Sequence, residues 1–260
     1  MSYIDEMFSL NGKVAAAIGA GGVLAGAMAK GLAQAEAKVA VLDLNLENAE
    51  KVATSIRSEY HGEALAVQLD ATKKGDIERA LDEIISAWGH ADILINAPGI
   101  NSATPFFEIT EDEWEKIIQV NLKSMFLACQ VFGKRMIEQG SGGSIINISS
   151  VSSSLPLSKV FTYSISKAGV NNLTQFLARE WALQKIRVNA LAPGFFPAEQ
   201  NRKILTKERV ESIFRHTPMG RFGEPEELVS AVIWLASEKA SSFVTGAVIR
   251  VDGGFTAMTI

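Results

Sequence analysis

The sequence predicts an α/β fold, a parallel sheet covered by helices on both faces, and three observations carry that expectation. Short β-branched or apolar runs alternate with longer helical patterns along the 260 residues. A glycine-rich turn, "IGAGGVLAG", joins the first such run to the first helical pattern, and Asp43 ends the second run. Further on, "TYSISKAG" sets Tyr163 and Lys167 four residues apart, so that both leave the same face of a helix. Strands separated by helices run parallel, and right-handed crossovers then distribute the helices over both sides of the sheet.

Taken in order, "KVAAAI" (13–18), "KVAVLD" (38–43), "ALAVQLD" (64–70), "ADILIN" (91–96), "GSIINIS" (143–149), "IRVNALA" (186–192) and "GAVIRVDGG" (246–254) read as strands. Helical patterns fill the intervals at 24–35, 46–59, 74–88, 111–138, 162–184, 200–215 and 224–237. Thr110, with Glu113 three residues later, reads as a capping box ahead of 111–138. Pro225 falls in a first helical turn, followed by Glu226 and Glu227 where the macrodipole favours negative charge. No linker, low-complexity tract or internal repeat interrupts the series, so residues 1–260 are expected to form a single domain.

Composition narrows the function classes. With 47% hydrophobic and 21% charged residues the chain can bury a full core. A net charge of −4 disfavours a nucleic-acid or anionic-membrane surface. No apolar stretch approaches the length of a membrane span, and "MSYIDEMFSLNGK" carries acidic residues where a signal peptide needs basic ones. Cys129 stands alone, which excludes an intrachain disulfide and fits a reducing compartment. His61, His90 and His216 are far apart, and neither HExxH nor CxxC occurs, so no metal site is expected. These features point to a soluble, cytoplasmic protein.

The glycine-rich turn is suited to a dinucleotide. A helix N-terminus offers free N–H donors and a positive dipole end to a pyrophosphate, and glycines let the phosphate approach the backbone. Counted from Gly19 and Gly21, a strict G-x-G-x-x-G would need a third glycine where Leu24 stands. Asp43, 24 residues after Gly19, lies where a carboxylate accepts bonds from an adenosine ribose. It also repels a 2′-phosphate, so NAD(H) is expected over NADP(H).

Tyr163 and Lys167 suggest proton chemistry. A free phenol, with a pKa of ~10, is a poor base at neutral pH, and an adjacent ammonium favours its ionised form. Such a tyrosine can take a proton from an alcohol or return one to a carbonyl. Ser150, thirteen residues upstream, follows the strand "GSIINIS" in a serine-rich loop, where its hydroxyl can hold a substrate oxygen as charge develops.

With these residues in view, the chain resembles the short-chain dehydrogenases/reductases. The glycine loop, "QLDAT", "ILINAPG", "VNL", "INISS", "YSISK", "IRVNALAPG" and "VTGAVIRVDGG" occur in order at family-like spacing over almost the whole chain. The resemblance implies a Rossmann-type doubly wound domain of seven parallel strands, hydride transfer to or from a nicotinamide, and a dimer or tetramer assembled partly through the last strand. It implies that Tyr163 is the acid/base, that Ser150 orients the oxyanion, and that Lys167 lowers the tyrosine pKa and holds the nicotinamide ribose. Asn121 would support a water linking Lys167 to solvent. Cofactor contacts are implied for Gly19, Gly22, Val23 and Leu24 in the first turn and for Asp43 at the ribose. Asp70 and Ala71 match the adenine contact, Asn96 and Gly99 the turn beside the cofactor, and Pro193, Gly194 and Phe196 the nicotinamide side.

Several positions depart from the family pattern. Ile18, Val23 and Ala25 stand where the family motif has Thr, Gly and Gly. Pro98 interrupts the asparagine-rich turn, and Ala198 replaces the Thr that touches the carboxamide. Glu36 and Lys185 occupy helix C-terminal positions where glycine is common. Among relatives, "APGFFPAEQNRKIL" and "VDGGFTAMTI" look closest to sugar-acid and polyol dehydrogenases of the gluconate 5-dehydrogenase and mannonate types. The family's substrate lid falls at 195–216, with Gln200, Asn201, Arg202 and Lys203 as candidate partners for hydroxyls and a carboxylate, and Lys159 as another. Two alternatives remain. One is a 3-oxoacyl-carrier-protein reductase, whose acidic partner would seek a basic rim for which Lys134 and Arg135, beside Glu138, give only a thin patch. The other is a nucleotide-binding homologue whose redox activity has lapsed.

Overall fold

In a computed structural model that describes residues 2–197 and 205–258, β1 (Val14–Ile18) reads VAAAI and is buried at every position. Three successive alanines let helices approach it from both sides, which suits the centre of a sheet covered twice. Around it lie β2 (Lys38–Asp43), β3 (Ala64–Gln68), β4 (Ile93–Asn96), β5 (Gly143–Ile148), β6 (Ile186–Pro193) and β7 (Val248–Val251). The order is β3-β2-β1-β4-β5-β6-β7, with every pair parallel. This is the parallel sheet that the alternation implied, in the Rossmann-type arrangement that the resemblance implied.

The pleat divides the core in two. Ala15, Ala17, Val39, Val41, Ile93, Ile95, Ile146 and Ile148 face one side, where they meet helices α2 (Val23–Gln34) and α3 (Leu46–Glu59) and the later α9 (Val229–Ala236). Val14, Ala16, Ile18, Ala40, Leu42, Leu94 and Ile145 face the other, against α4 (Lys74–Trp88), α6 (Ser124–Gln139) and α7 (Phe161–Trp181). Period-two alternation within uniformly apolar strands therefore fills both layers. Ile18, in the threonine position of the family motif, is a core residue of the second layer.

Several elements differ from the sequence expectation. A short α1 (Tyr3–Phe8), capped by Ser2, precedes the first strand and was not anticipated. The expected helix 111–138 is divided into α5 (Glu111–Ile118), a π turn (Gln119–Lys123) and α6. Of the capping box only half forms: Thr110 Oγ1 accepts from the Glu113 N–H at 3.1 Å. The Glu113 carboxylate instead accepts from Ser102 Oγ (2.6 Å) and Thr104 Oγ1 (2.7 Å), tying down the preceding loop. Within the expected helix 200–215, α8 covers Lys207–Arg215, and residues 200–203 lie outside the described chain. The Pro225–Leu228 segment is a 3-10 turn leading into α9, followed by the short α10 (Glu238–Ser241). The last strand is shorter than 246–254, because Gly246, Gly253 and Gly254 all hold positive φ (+75°, +63° and +87°).

β1 is hydrogen-bonded to β2 on one side and β4 on the other, so the chain leaves their carboxyl ends in opposite directions. A crevice opens at that reversal, and it is where α/β sheets bind ligands.

Candidate active site

The crevice is a cavity of about 610 Å³. One wall is the first glycine turn. Gly19 holds φ +79°, and a Cβ there would lie 3.0 Å from the Ala97 carbonyl oxygen, so glycine is required on both counts. Gly22 is the N-cap of α2 and supplies no side-chain cap, leaving the first amides of that 12-residue helix open toward the cavity. Gly22, Val23, Leu24 and Ala25 all line it. Val23 and Ala25, where the family pattern has glycine, are thus compatible with an open cradle, and the residues present fit a dinucleotide phosphate.

Asp43 stands at the end of β2 behind this turn. Its Oδ2 accepts from the Gly21 N–H (3.0 Å) and its Oδ1 from the Asn45 N–H (2.9 Å), so the carboxylate is fixed beside the loop although it does not line the cavity. A Cβ on Gly21 would come within 2.7 Å of the Asp43 Cγ, so Gly21 is what lets the acid close on the turn.

The opposite wall brings together Ser150, Tyr163 and Lys167. Ser150 follows β5 in extended conformation (φ −164°), and its hydroxyl accepts from the Ser152 N–H (3.2 Å) and Ser152 Oγ (3.1 Å). With two donors on the oxygen, its own proton is left to donate on the cavity side, where the Tyr163 phenol is its partner. Tyr163 and Lys167 share a face of α7, with the Lys167 Nζ 5.7 Å from the centre of the Tyr163 ring. That Nζ also donates to the Ile148 carbonyl oxygen at 2.7 Å.

Burial governs the ionisation of both groups. It pushes the Tyr163 phenol above its ordinary value, and a hydrogen bond with Ser150 opposes the rise only in part. It pushes the Lys167 ammonium down to about 7. In the protein alone, burial outweighs any lowering of the phenol pKa by its lysine neighbour. The phenol is itself desolvated, and a lysine titrating near 7 carries only part of its charge at neutral pH. A phenol kept protonated in this way ionises more readily when positive charge is added beside it.

Asn121 sits on the π turn, fully buried. Its Oδ1 accepts from the Ile100 N–H (2.8 Å), and its Nδ2 donates to the Ile100 carbonyl (2.9 Å) and to Ser166 Oγ (3.1 Å). It thereby clamps the loop after β4 against α7. A Cβ on Gly99 in that loop would stand 3.6 Å from Lys167 Nζ and 3.7 Å from Asn121 Oδ1, so the clamp reaches the lysine through one glycine. Gly99, Pro193, Gly194 and Phe196 line the cavity. Asn96 lies beneath it, buried at the end of β4, where its Nδ2 donates to the Met125 carbonyl (3.1 Å) and Asn147 Oδ1 (3.2 Å). Asp70 and Ala71 follow β3 outside the lining, and Asp70 accepts from the N–H (3.1 Å) and hydroxyl (2.6 Å) of Thr72. Lys159 is exposed and does not line the cavity; Ala198, Gln200, Asn201, Arg202 and Lys203 lie outside the described residues.

Other contributors were either not singled out by the sequence reading or fell unnamed within its 195–216 lid segment. Asn171 on α7 accepts from Ser149 Oγ (2.6 Å) and donates to Ser153 Oγ (2.8 Å), holding the serine loop in place. Asn171 follows Tyr163 by two helical turns, a spacing that could have drawn notice. Leu157, Val160, Phe195, Leu205, Arg209 and Ile213 complete the far side of the cavity. The last four fall in the 195–216 segment expected as a lid, while Leu157 and Val160 come from the serine-rich loop, and no local motif marks which side chains of either segment face the cavity.

Comparison with known proteins agrees with this architecture. A family model described as enoyl-(acyl carrier protein) reductase matches residues 19–256. The chain is 37% identical to a 2-dehydro-3-deoxy-D-gluconate 5-dehydrogenase of Escherichia coli K12, over 98% of this chain and 99% of that protein. It is 36% identical to an NAD-dependent glycerol dehydrogenase of Listeria innocua, over 97% of each chain. A solved gluconate 5-dehydrogenase of Burkholderia cenocepacia J2315, in complex with NADP and tartrate, superposes with a TM-score of 0.93 at 34% identity, covering 99% of this chain and 100% of that one. Identity of this extent along the whole fold, together with the crevice and its serine, tyrosine and lysine, makes the protein an oxidoreductase of the short-chain dehydrogenase/reductase family, a family that binds a nicotinamide cofactor.

Proposed function

We propose that the protein interconverts a secondary alcohol and a ketone on a sugar acid or polyol, with NAD(H) preferred over NADP(H). The observation that carries this reading is the convergence of the Ser150 hydroxyl, the Tyr163 phenol and the Lys167 ammonium on a cavity whose other wall is an uncapped helix N-terminus. When bound, the nicotinamide accepts or gives up the hydride and brings positive charge in its oxidised form. Ser150 donates a hydrogen bond to the reacting oxygen. Tyr163 takes the alcohol proton, or returns it in the reverse direction, and Lys167 lowers the free energy of the phenolate. Gly19, Gly22, Val23 and Leu24 hold the pyrophosphate, while Pro193, Gly194 and Phe196 bound the nicotinamide. Asn121 positions the loop over Lys167. Asn96, Asp70 and Ala71 support the same region from outside the lining.

Preference for NAD(H) is supported by the fixed Asp43 carboxylate and by Leu44, Asn45 and Leu46 after it, none of which is a cation for a 2′-phosphate. We read residues 1–260 as one domain, with 195–216 as its lid. A homodimer or homotetramer in the cytoplasm is the assembly this reading favours, with no nucleic-acid or membrane partner. Among the described residues no helix is long and apolar enough to cross a membrane. A carrier-protein substrate finds less support, since Lys134 pairs with Glu138 (3.8 Å), Arg135 turns to Gln139 and Gly89, and neither lines the cavity.

The test is a screen of aldonates, uronates, polyols and acetoacetyl thioesters with each dinucleotide. Oxidation of aldonates or polyols with NAD is the expected result, with weaker NADPH than NADH binding by fluorescence titration. Turnover confined to the thioesters, or tighter NADPH binding, would count against it.

A further inference from the structure

The cavity has two cations, Lys167 and Arg209, and no aspartate or glutamate among its described lining residues. Lys167 is occupied at the back, on the Ile148 carbonyl. Arg209 lies at the far side on α8, one turn before Ile213, which also lines the cavity and is buried. Its backbone N–H donates to Thr206 Oγ1, the N-cap of that helix, at 3.2 Å. Its Nη1 donates to Ser158 Oγ at 2.9 Å, on the loop that carries Ser150, so the guanidinium bridges the two walls on the substrate side. A guanidinium has five N–H donors in a planar fork, and no acidic side chain pairs with this one among the described residues.

We propose that Arg209 is the specificity-determining residue that binds the substrate carboxylate, with Ser158 as its partner, and that the site is built for an anionic sugar acid rather than a neutral polyol. The inference rests on the dehydrogenase reading of the same cavity and sharpens it. A carboxylate entering between α8 and the serine loop takes up the N–H donors of Arg209 that no acceptor among the described residues occupies. It can also accept from the Ser158 hydroxyl, whose proton is not used by the existing bond. Charge-assisted paired bonds of this kind are geometrically selective, and a polyol cannot reproduce them. The anchor holds one end of the chain, while Ser150 and Tyr163 meet a hydroxyl-bearing carbon further along.

The test compares D-gluconate with D-glucitol as substrates for the wild type, Arg209→Gln and Arg209→Lys, with calorimetric binding of tartrate to the NADH complex as an activity-independent readout. In Arg209→Gln the ratio of kcat/KM for gluconate to that for glucitol should fall roughly tenfold or more, mainly through KM. Arg209→Lys should fall between that variant and the wild type. Tartrate binding should weaken with the gluconate KM, while NADH affinity changes little. An unchanged ratio with unchanged tartrate binding would overturn the assignment, as would a loss of NADH affinity that accounts for the whole effect, which would make Arg209 a phosphate ligand. A wild type that binds tartrate through Arg209 yet oxidises neither compound would leave the anion site standing and count instead against the dehydrogenase reading.

Discussion

At the scale of single residues, the site depends on desolvation. Tyr163 and Lys167 were legible as a pair from their spacing, and Ser150 from its place after a strand, because helical periodicity and strand ends are written locally. The direction of the tyrosine shift was not legible, since it depends on how deeply the fold buries both groups. That burial has a consequence for stability. Between about pH 7 and its ordinary value of 10.5, Lys167 is protonated in the unfolded chain and largely neutral in the folded one. The unfolded state then binds more protons, so stability rises with pH by up to ~1.4 kcal/mol per unit from this group. The cost of burying the cation is fully present below pH 7 and fades above it. Near pH 10 the raised phenol of Tyr163 begins to act in the opposite sense, because the folded state then keeps a proton that the unfolded chain loses. Lys167→Met should therefore flatten the rise in denaturation free energy between about pH 7 and 9.5. Equal slopes in variant and wild type would show that Lys167 is not shifted by burial.

At the scale of elements, all seven strands were placed from the sequence, and the helix ends were read best where a glycine or its replacement decided them. Glu36 and Lys185 were picked out as residues in glycine positions, and both hold positive φ (+77° and +60°). Lys185 is exposed and joins the turn after α7 to β6, so its side chain has little packing to lose. Lys185→Gly should raise the free energy of unfolding by up to ~1 kcal/mol, read from denaturant titration, and a loss of stability would contradict the strain argument. The π turn at 119–123 escaped the sequence reading, because one inserted residue barely alters the apolar pattern of a long helix. That turn carries Asn121, so a break in regularity falls where the site is braced. The far wall was legible only as a segment, 195–216, and not in which of its residues face the cavity. Arg209 and Leu157 meet only through the closure of a loop over a helix, and no spacing records it.

At the scale of the whole molecule, the doubly wound arrangement was carried by the resemblance, and the structure shows it in an alanine-rich central strand covered on both faces and a crevice at the chain reversal. Apolar side chains remain uncovered on the outer helices, among them Phe126 and Phe176, and Leu183 (95% exposed) and Phe243 (102%) stand clear of the surface. Exposed apolar groups mark contacts between chains where they adjoin one another. Sedimentation equilibrium should give a mass of two or four times 28.0 kDa, and a monomer across the working concentration range would remove support for the oligomer.

The central claim is that one buried phenol moves the proton in this crevice. The most direct measurement is the turnover of Tyr163→Phe beside its affinity for NADH, on whichever substrate the wild type oxidises. Removal of the hydroxyl should lower kcat by roughly 10²-fold or more while NADH binds as before. Turnover retained at the wild-type level would contradict the assignment of Tyr163 as acid and base.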